Sequence, residues 1–375
     1  LSGYNRNNVL DYVDPEVSYE EFIHKELIHF SNSDLERSIP NIMDGFKESQ
    51  RKIFYACIKK KLTSEIKVAQ LAGYVSEHTA YHHGEVSLQQ AIVNMAQRYV
   101  GSNNINLLVP SGQFGTRVFN GKDAASARYI FTYLSDIVKF IFKEDDFAVL
   151  NYLDDEGLSI EPEYYVPILP MVLINSICGI GSGYSTTIPS YDPRDVVTIL
   201  FKIINAIKDS DNEFFMHSII DQITDVEDPI PYFFGFKGEI QKVGQNYISK
   251  GVYEVVDDNT VRITELPVYI ATDDYKNLLD KMLVDGQYLK DYSSHYDDIN
   301  VGFTLTFQPG MLTDLLNTQV KGESKFETEF KMINSRGIST TNMHLYNHEG
   351  RIQKYSTVLE IIKEFAKVRV SYYFK

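Results

Sequence analysis

Phe46-Lys47-Glu48-Ser49-Gln50-Arg51-Lys52-Ile53-Phe54-Tyr55-Ala56-Cys57-Ile58-Lys59-Lys60 sets Phe46, Ile53, Phe54, Cys57 and Ile58 on one stripe and keeps Lys47, Arg51, Lys52 and Lys59 off it. This is the spacing of an amphipathic helix. Downstream, Val68, Leu71, Ala72 and Val75 predict a short second helix, and a third begins near Glu85 with Leu88, Ile92, Met95, Ala96 and Tyr99. A strand (Ile105, Leu107, Val109) and a loop containing Gly112, Gly115 and Gly121 follow. Three short helices, a strand and a Gly-rich loop give the order of a winged-helix variant of the helix-turn-helix. Upstream, Phe22, Ile23, Leu27, Ile28 and Phe30 are spaced for a helix that Ser31-Asn32-Ser33 is expected to end.

The pattern changes beyond Tyr164. Pro167, Pro170, Pro189 and Pro193 punctuate short apolar runs, and Gly179, Gly181 and Gly183 mark a tight segment. Residues 232–270 alternate as strands do, with a turn at Asp257-Asp258-Asn259, and Val301, Phe303, Leu305 and Phe307 alternate again. Thr357 and Glu360 form a capping-box pair ahead of Val358, Ile361, Ile362, Phe365 and Tyr372, so a helix is expected to the end of the chain. The fold class expected is therefore mixed α/β (α+β) and multidomain, with a boundary near residue 168.

The 375 residues carry 36 Lys plus Arg against 51 Asp plus Glu, a net of −15, which taken whole argues against a nucleic-acid binder. The average hides a contrast: residues 37–130 hold 12 basic and 6 acidic side chains, a local +6 that leaves −21 elsewhere. Phosphate contacts are made by local cations, so a polyanion site fits this stretch; so does a helix pair with solvated basic faces. Only Cys57 and Cys178 are present, and Leu1-Ser2-Gly3-Tyr4-Asn5-Arg6 has no apolar signal region. A secreted disulfide framework is thereby disfavoured, and a reducing intracellular compartment fits. No segment is apolar for a membrane-spanning length. The first residue is not Met and the last ones sit in a helical pattern, so the chain reads as a piece of something longer.

Gly112-Gln113-Phe114-Gly115-Thr116-Arg117 and Gly121-Lys122-Asp123-Ala124-Ala125-Ser126-Ala127-Arg128-Tyr129 carry the most chemistry. Glycines let backbone approach a polyanion, and the run delivers Arg128 beside Tyr129. Phenol has a pKa near ~10, so presenting phenolate at neutral pH costs about 4 kcal/mol, part of which a guanidinium or general base offsets. Arginine also stabilises the extra charge on a pentavalent phosphorus. The pair suits tyrosine attack on a phosphodiester, although with 26 tyrosines in the chain an ordinary packed or surface Tyr is the commoner case.

Glu36-Arg37-Ser38-Ile39-Pro40, Asp44-Gly45-Phe46-Lys47, Gln50-Arg51-Lys52, Lys67-Val68-Ala69-Gln70-Leu71-Ala72-Gly73, Tyr81-His82-His83-Gly84-Glu85, Gly101-Ser102-Asn103-Asn104 and Ala127-Arg128-Tyr129 together resemble the breakage-reunion region of eukaryotic-type type IIA DNA topoisomerases. The similarity continues through Pro170-Met171-Val172-Leu173-Ile174-Asn175 and Gly179-Ile180-Gly181-Ser182-Gly183, and more weakly to Tyr355-Ser356-Thr357-Val358-Leu359. The resemblance implies that Tyr129 joins a DNA 5′-phosphate, that Arg128 stabilises the transition state, that His83 bonds the scissile phosphate or helps move a proton, and that Arg37 anchors a neighbouring phosphate. His83 read alone is half of a satisfied His82-His83 turn, and Arg37 a surface ion pair with Glu36 or Asp34. Ile180 resembles the family's DNA-bending wedge, against the plainer reading of a core isoleucine. Lys47, Arg51, Lys52, Lys67, Gln113, Arg117 and Lys122 are the expected DNA contacts.

By the same resemblance, residues 1–29 are a linker and helix after an absent TOPRIM domain, 30–168 a winged-helix DNA-gate domain, 169–352 a tower-like mixed α/β domain, and 353–375 the start of a coiled-coil arm. Two copies would form a homodimeric gate on double-stranded DNA that changes topology by ATP-driven strand passage. Magnesium would be held by the TOPRIM domain and ATP by an upstream domain; no metal ligands are expected in this chain, and the fragment alone is expected to be inactive. A cellular enzyme would work in the nucleus, a viral one in a cytoplasmic virus factory. Departures from the family pattern at Glu48, Tyr184 and Val86, with abundant Asn, Ile, Lys and Tyr, resemble large-DNA-virus members, the African swine fever virus type among them. Another tyrosine transesterase, of recombinase or meiotic-break type, and a non-enzymatic DNA-binding and dimerisation module remain open.

Overall fold

The computed structural model describes residues 5, 7–11, 13, 16–320, 322–336 and 338–375; most of the Leu1–Arg6 segment lies outside them. A continuous helical stretch comes first: an α-helix at Tyr19–Phe22, a π-turn at Ile23–Leu27 and an α-helix at Ile28–Ser38. The expected break at Ser31-Asn32-Ser33 does not occur. Ser and Asn each cost at most about 0.7 kcal/mol in a helix, too little to end one whose last turns are held by buried Leu35 and by the backbone of a neighbouring hairpin.

Helices Glu48–Lys59, Val68–Thr79 and Glu85–Ala96 stand where the apolar spacing put them. They pack against an antiparallel sheet in the order Ile66–Lys67, Phe131–Leu134, Leu108–Ser111, which completes the winged-helix arrangement. Their apolar stripes close a core with Ile53, Phe54, Leu71, Val75, Leu88 and Ile92 fully buried. The same cluster takes in Met171–Ile174, the helix Pro193–Ile207, strands Met343–Tyr346 and Ile352–Tyr355, and the terminal helix Val358–Phe374. The boundary expected near residue 168 thus falls inside one continuous core.

A second core has its own four-stranded antiparallel sheet, ordered Val252–Asp257, Thr260–Glu265, Phe303–Phe307, Leu289–Ser294. The helix Thr272–Asp285 covers it with Tyr275 and Leu279. A small third cluster around Phe233, Tyr247, Val268 and Ile338 lies under the sheet formed by Ile333–Asn334, Asn246–Lys250 and Glu239–Val243. In the terminal helix, Thr357 caps Glu360 as expected, but the Glu360 carboxylate accepts from the Ser356 amide. No helix among the described residues is long and apolar enough to cross a membrane.

Candidate nucleic-acid interface

Tyr129 and Arg128 sit in a turn between the Gly-rich loop and the strand Phe131–Leu134, closed by the Tyr129 amide donating to Ser126 at 2.9 Å. The turn is pinned to the start of the Val68–Thr79 helix: the Val68 amide donates to Ile130 and the Ala69 amide to Ala127. Buried Ala127 and Ile130 anchor it and leave Tyr129 70% exposed, with Arg128 exposed beside it. A large aromatic ring held out into solvent on a rigid turn is not a packing residue.

The loop before it folds on itself. A Cβ on Gly115 would lie 2.6 Å from the Gly121 backbone, so these glycines serve a close approach of chain to chain where the sequence reading expected one to a polyanion. Gln97 donates to the carbonyls of Phe114 and Gly121, and Asp123 accepts from both the amide and the hydroxyl of Thr116.

His82 and His83 diverge. His82 approaches Asp155 at 3.4 Å, while His83 stays exposed with its ring edge-on to Tyr81 at 5.4 Å. Partial burial, then the nearby Arg37 cation, lower the His83 pKa below its ordinary value. This shift favours the neutral imidazole, the form that can accept a proton. Asp34, one partner considered for Arg37, instead accepts from the amide and hydroxyl of Ser182.

Ile180 ends the first strand of a hairpin, Ile177–Ile180 with Ser185–Ile188. Gly179 faces the preceding helix so closely that a Cβ would stand 2.1 Å from the Ser38 carbonyl oxygen, and Gly181 packs on Leu35. Strand alternation then turns Ile180 outward at 79% exposure. The core reading of this residue is ruled out.

Several expected DNA contacts are elsewhere. Lys52 is buried, with its ammonium 2.8 Å from Glu161 and donating to the Thr79 carbonyl. Arg51 makes a bidentate pair with buried Asp44; burial opposes its charge, but Asp44 outweighs this and raises its pKa. Asp44 also accepts from the amides of Phe46 and Tyr165, so it serves as a structural hub. Arg117 is buried against Glu265 at 2.6 Å and donates to the Leu266 carbonyl at 2.8 Å; burial lowers its pKa and Glu265 partly restores it. These three cations have internal partners and do not face solvent, because each stands on the inward side of its element. Lys47 is intermediate: its ammonium donates to the Cys178 carbonyl at 2.7 Å, and burial lowers its pKa. Lys67, Gln113 and Lys122 are exposed. Glu161 and Glu265 are hidden from sequence reasoning, since nothing local marks an acid whose partner, Lys52 or Arg117, arrives from far along the chain. Among the described residues, no three His, Cys, Asp or Glu side chains converge as a metal site.

Residues 37–375 match the family of DNA gyrase/topoisomerase IV A subunits. All of the chain aligns with DNA topoisomerase 2 of Arabidopsis thaliana at 44% identity, covering 24% of that protein, and with DNA topoisomerase 2 of Acanthamoeba polyphaga mimivirus at 38%, covering 33%. A crystal structure of the Plasmodium falciparum topoisomerase II DNA-binding, cleavage and re-ligation domain superposes with a TM-score of 0.85 and 41% identity over 99% of this chain and 48% of that one. The chain thus spans about a quarter of the first of those curated relatives and about a third of the second.

Proposed function

The chain belongs to the type IIA topoisomerase family that includes the A subunits of DNA gyrase and topoisomerase IV, and from that premise we propose that it is the nucleophile-bearing part of a DNA cleavage and religation core acting on double-stranded DNA. The observation that carries the reading is the exposed Tyr129 beside Arg128 on a turn pinned to a helix start, within the basic stretch of the chain. The Tyr129 oxygen attacks the scissile phosphorus, the bond to the 3′ oxygen breaks, and that oxygen takes a proton to become a free 3′-hydroxyl. Tyr129 is left esterified to the 5′-phosphate, and the reverse step reseals the strand without a ligase. Arg128 supplies charge to the pentavalent phosphorus, neutral His83 accepts or relays the phenol proton, and Arg37 holds an adjacent phosphate. Ile180 enters the base stack to bend the duplex, and Lys67, Gln113 and Lys122 face the backbone.

Homodimerisation, magnesium and ATP belong to this reading at the level of the longer protein. The test is detergent trapping of a covalent protein–DNA adduct, in magnesium, by a chain extended upstream to the length of its relatives. An adduct that falls at least ~100-fold in Tyr129→Phe is the expected result. Absence of an adduct in either protein, with DNA binding intact, would leave a non-enzymatic DNA-binding and dimerisation module.

A further inference from the structure

The loop that leads to Tyr129 is held at its far end by residues from the second half of the chain. Arg117 pairs through one guanidinium nitrogen with the Glu265 carboxylate at 2.6 Å and donates from another to the Leu266 carbonyl at 2.8 Å. Asn120 donates through its side-chain amide to the Tyr269 carbonyl at 2.9 Å. Glu265 is 2% exposed, and its carboxylate also accepts from the amides of Leu266 and Lys237, so it cannot swing to follow a moving partner. Tyr269 has a left-handed φ of +66°, a conformation that a bulky side chain holds only where its surroundings impose it. Here they do: its ring meets Phe233 edge-on at 5.6 Å and leaves so little room at Gly101 that a Cβ there would lie 3.3 Å away. Its hydroxyl donates to Ser176 at 3.4 Å, one residue before the hairpin that carries Ile180.

Between its ends the loop is stiff. The Gly115–Gly121 contact, the Thr116–Asp123 bonds and the Gln97 bridge make residues 114–123 one unit, and the Ala125 amide donates to Gln113 just before the turn that presents Tyr129. A displacement at Arg117 is therefore carried toward Arg128 and Tyr129. We propose that the corner Glu265–Tyr269 is a positioning element of the cleavage reaction, setting through Arg117 and Asn120 where the nucleophile stands and tying it to the base of the wedge hairpin. The proposal rests on the reading of Tyr129 as the nucleophile. Arg117, Asn120, Glu265 and Tyr269 act through other residues and contact no reacting atom. Their importance follows from geometry, since a misplacement of about 1 Å costs roughly 10²-fold in rate.

The experiment measures the rate of adduct formation at saturating DNA, the DNA dissociation constant and its salt slope, in the full-length protein and its variants Glu265→Gln, Glu265→Asp and Asn120→Gly. The expected result is a rate at least ~10-fold lower in Glu265→Gln, partly recovered in Glu265→Asp, with affinity and salt slope within about twofold of the parent. Glycine adopts the left-handed backbone of Asn120 without strain, so Asn120→Gly removes one amide contact and decides the matter if Glu265→Gln does not fold. Rates unchanged within twofold, or a rate loss accounted for by weaker DNA binding, would overturn the proposal. A parent protein that binds DNA but forms no adduct would overturn the nucleophile reading itself, and this proposal with it, before any variant is compared.

Discussion

Lys52 and Lys67 belong to the same basic stretch, yet one ammonium is buried against Glu161 while the other is exposed at a helix start. Removing one partner of a buried ion pair leaves the other uncompensated, at a cost of about 3–5 kcal/mol. Glu161 already has its pKa raised by burial, against the lowering pull of Lys52. Lys52→Ala should therefore lower stability by that order in urea unfolding, whereas Lys67→Ala should leave stability within about 0.5 kcal/mol and reduce the salt slope of DNA binding by about one. His83 gives a pH prediction. Its folded pKa is lowered, so the fold favours neutral imidazole; that preference is present above the ordinary value of about 6.5 and is lost as pH falls through the lowered one. Adduct formation should show an acid limb with its midpoint below ~6.5, and a pH–rate profile of His83→Asn that keeps this limb would sink the assignment.

At the scale of elements, the hairpin shows how two glycines create one exposed apolar tip. Gly179 and Gly181 let it lie against the Ile28–Ser38 helix, and the alternation between them turns Ile180 into solvent. Gly179→Ala forces a Cβ into the Ser38 carbonyl and should cost about 1–3 kcal/mol, as overpacking does, seen as a lower Tm. Ile180→Ala should leave Tm nearly unchanged and abolish DNA bending measured by end-to-end fluorescence transfer; full bending in that variant would remove the wedge. The three helices were legible because their apolar spacing is local. The strand Ile66–Lys67 was not: it is two residues long and exists only through pairing with Phe131 and Thr132.

Across the whole molecule, the terminal helix is welded to the winged-helix side. Arg369 is buried, lies 2.8 Å from Asp146 and donates to the Val166 carbonyl at 3.2 Å. The contact with Asp146 is a charge contact with poor hydrogen-bond alignment, since that carboxylate oxygen and the Arg369 Nε both lack a hydrogen-bond partner. Arg369→Ala should still cost about 3–5 kcal/mol, because it strands a carboxylate that is itself mostly buried; a loss below 1 kcal/mol in denaturant titration would show that water reaches Asp146. Such long-range pairs join parts of the chain that composition and punctuation had separated near residue 168.

Much of this protein was determined by its sequence alone: the helix–helix–helix–strand order, the capped terminal helix and the Arg128-Tyr129 pair. These depend on periods and neighbours within a few residues, where backbone geometry leaves few choices. Only the tertiary structure decided which cations face inward. Lys52 finds Glu161, and Arg117 finds Glu265, across stretches of chain that carry no trace of the pairing. An ammonium or guanidinium is chemically the same group on either side of a helix, and the depth at which the fold places it determines whether it meets water and phosphate or a buried carboxylate.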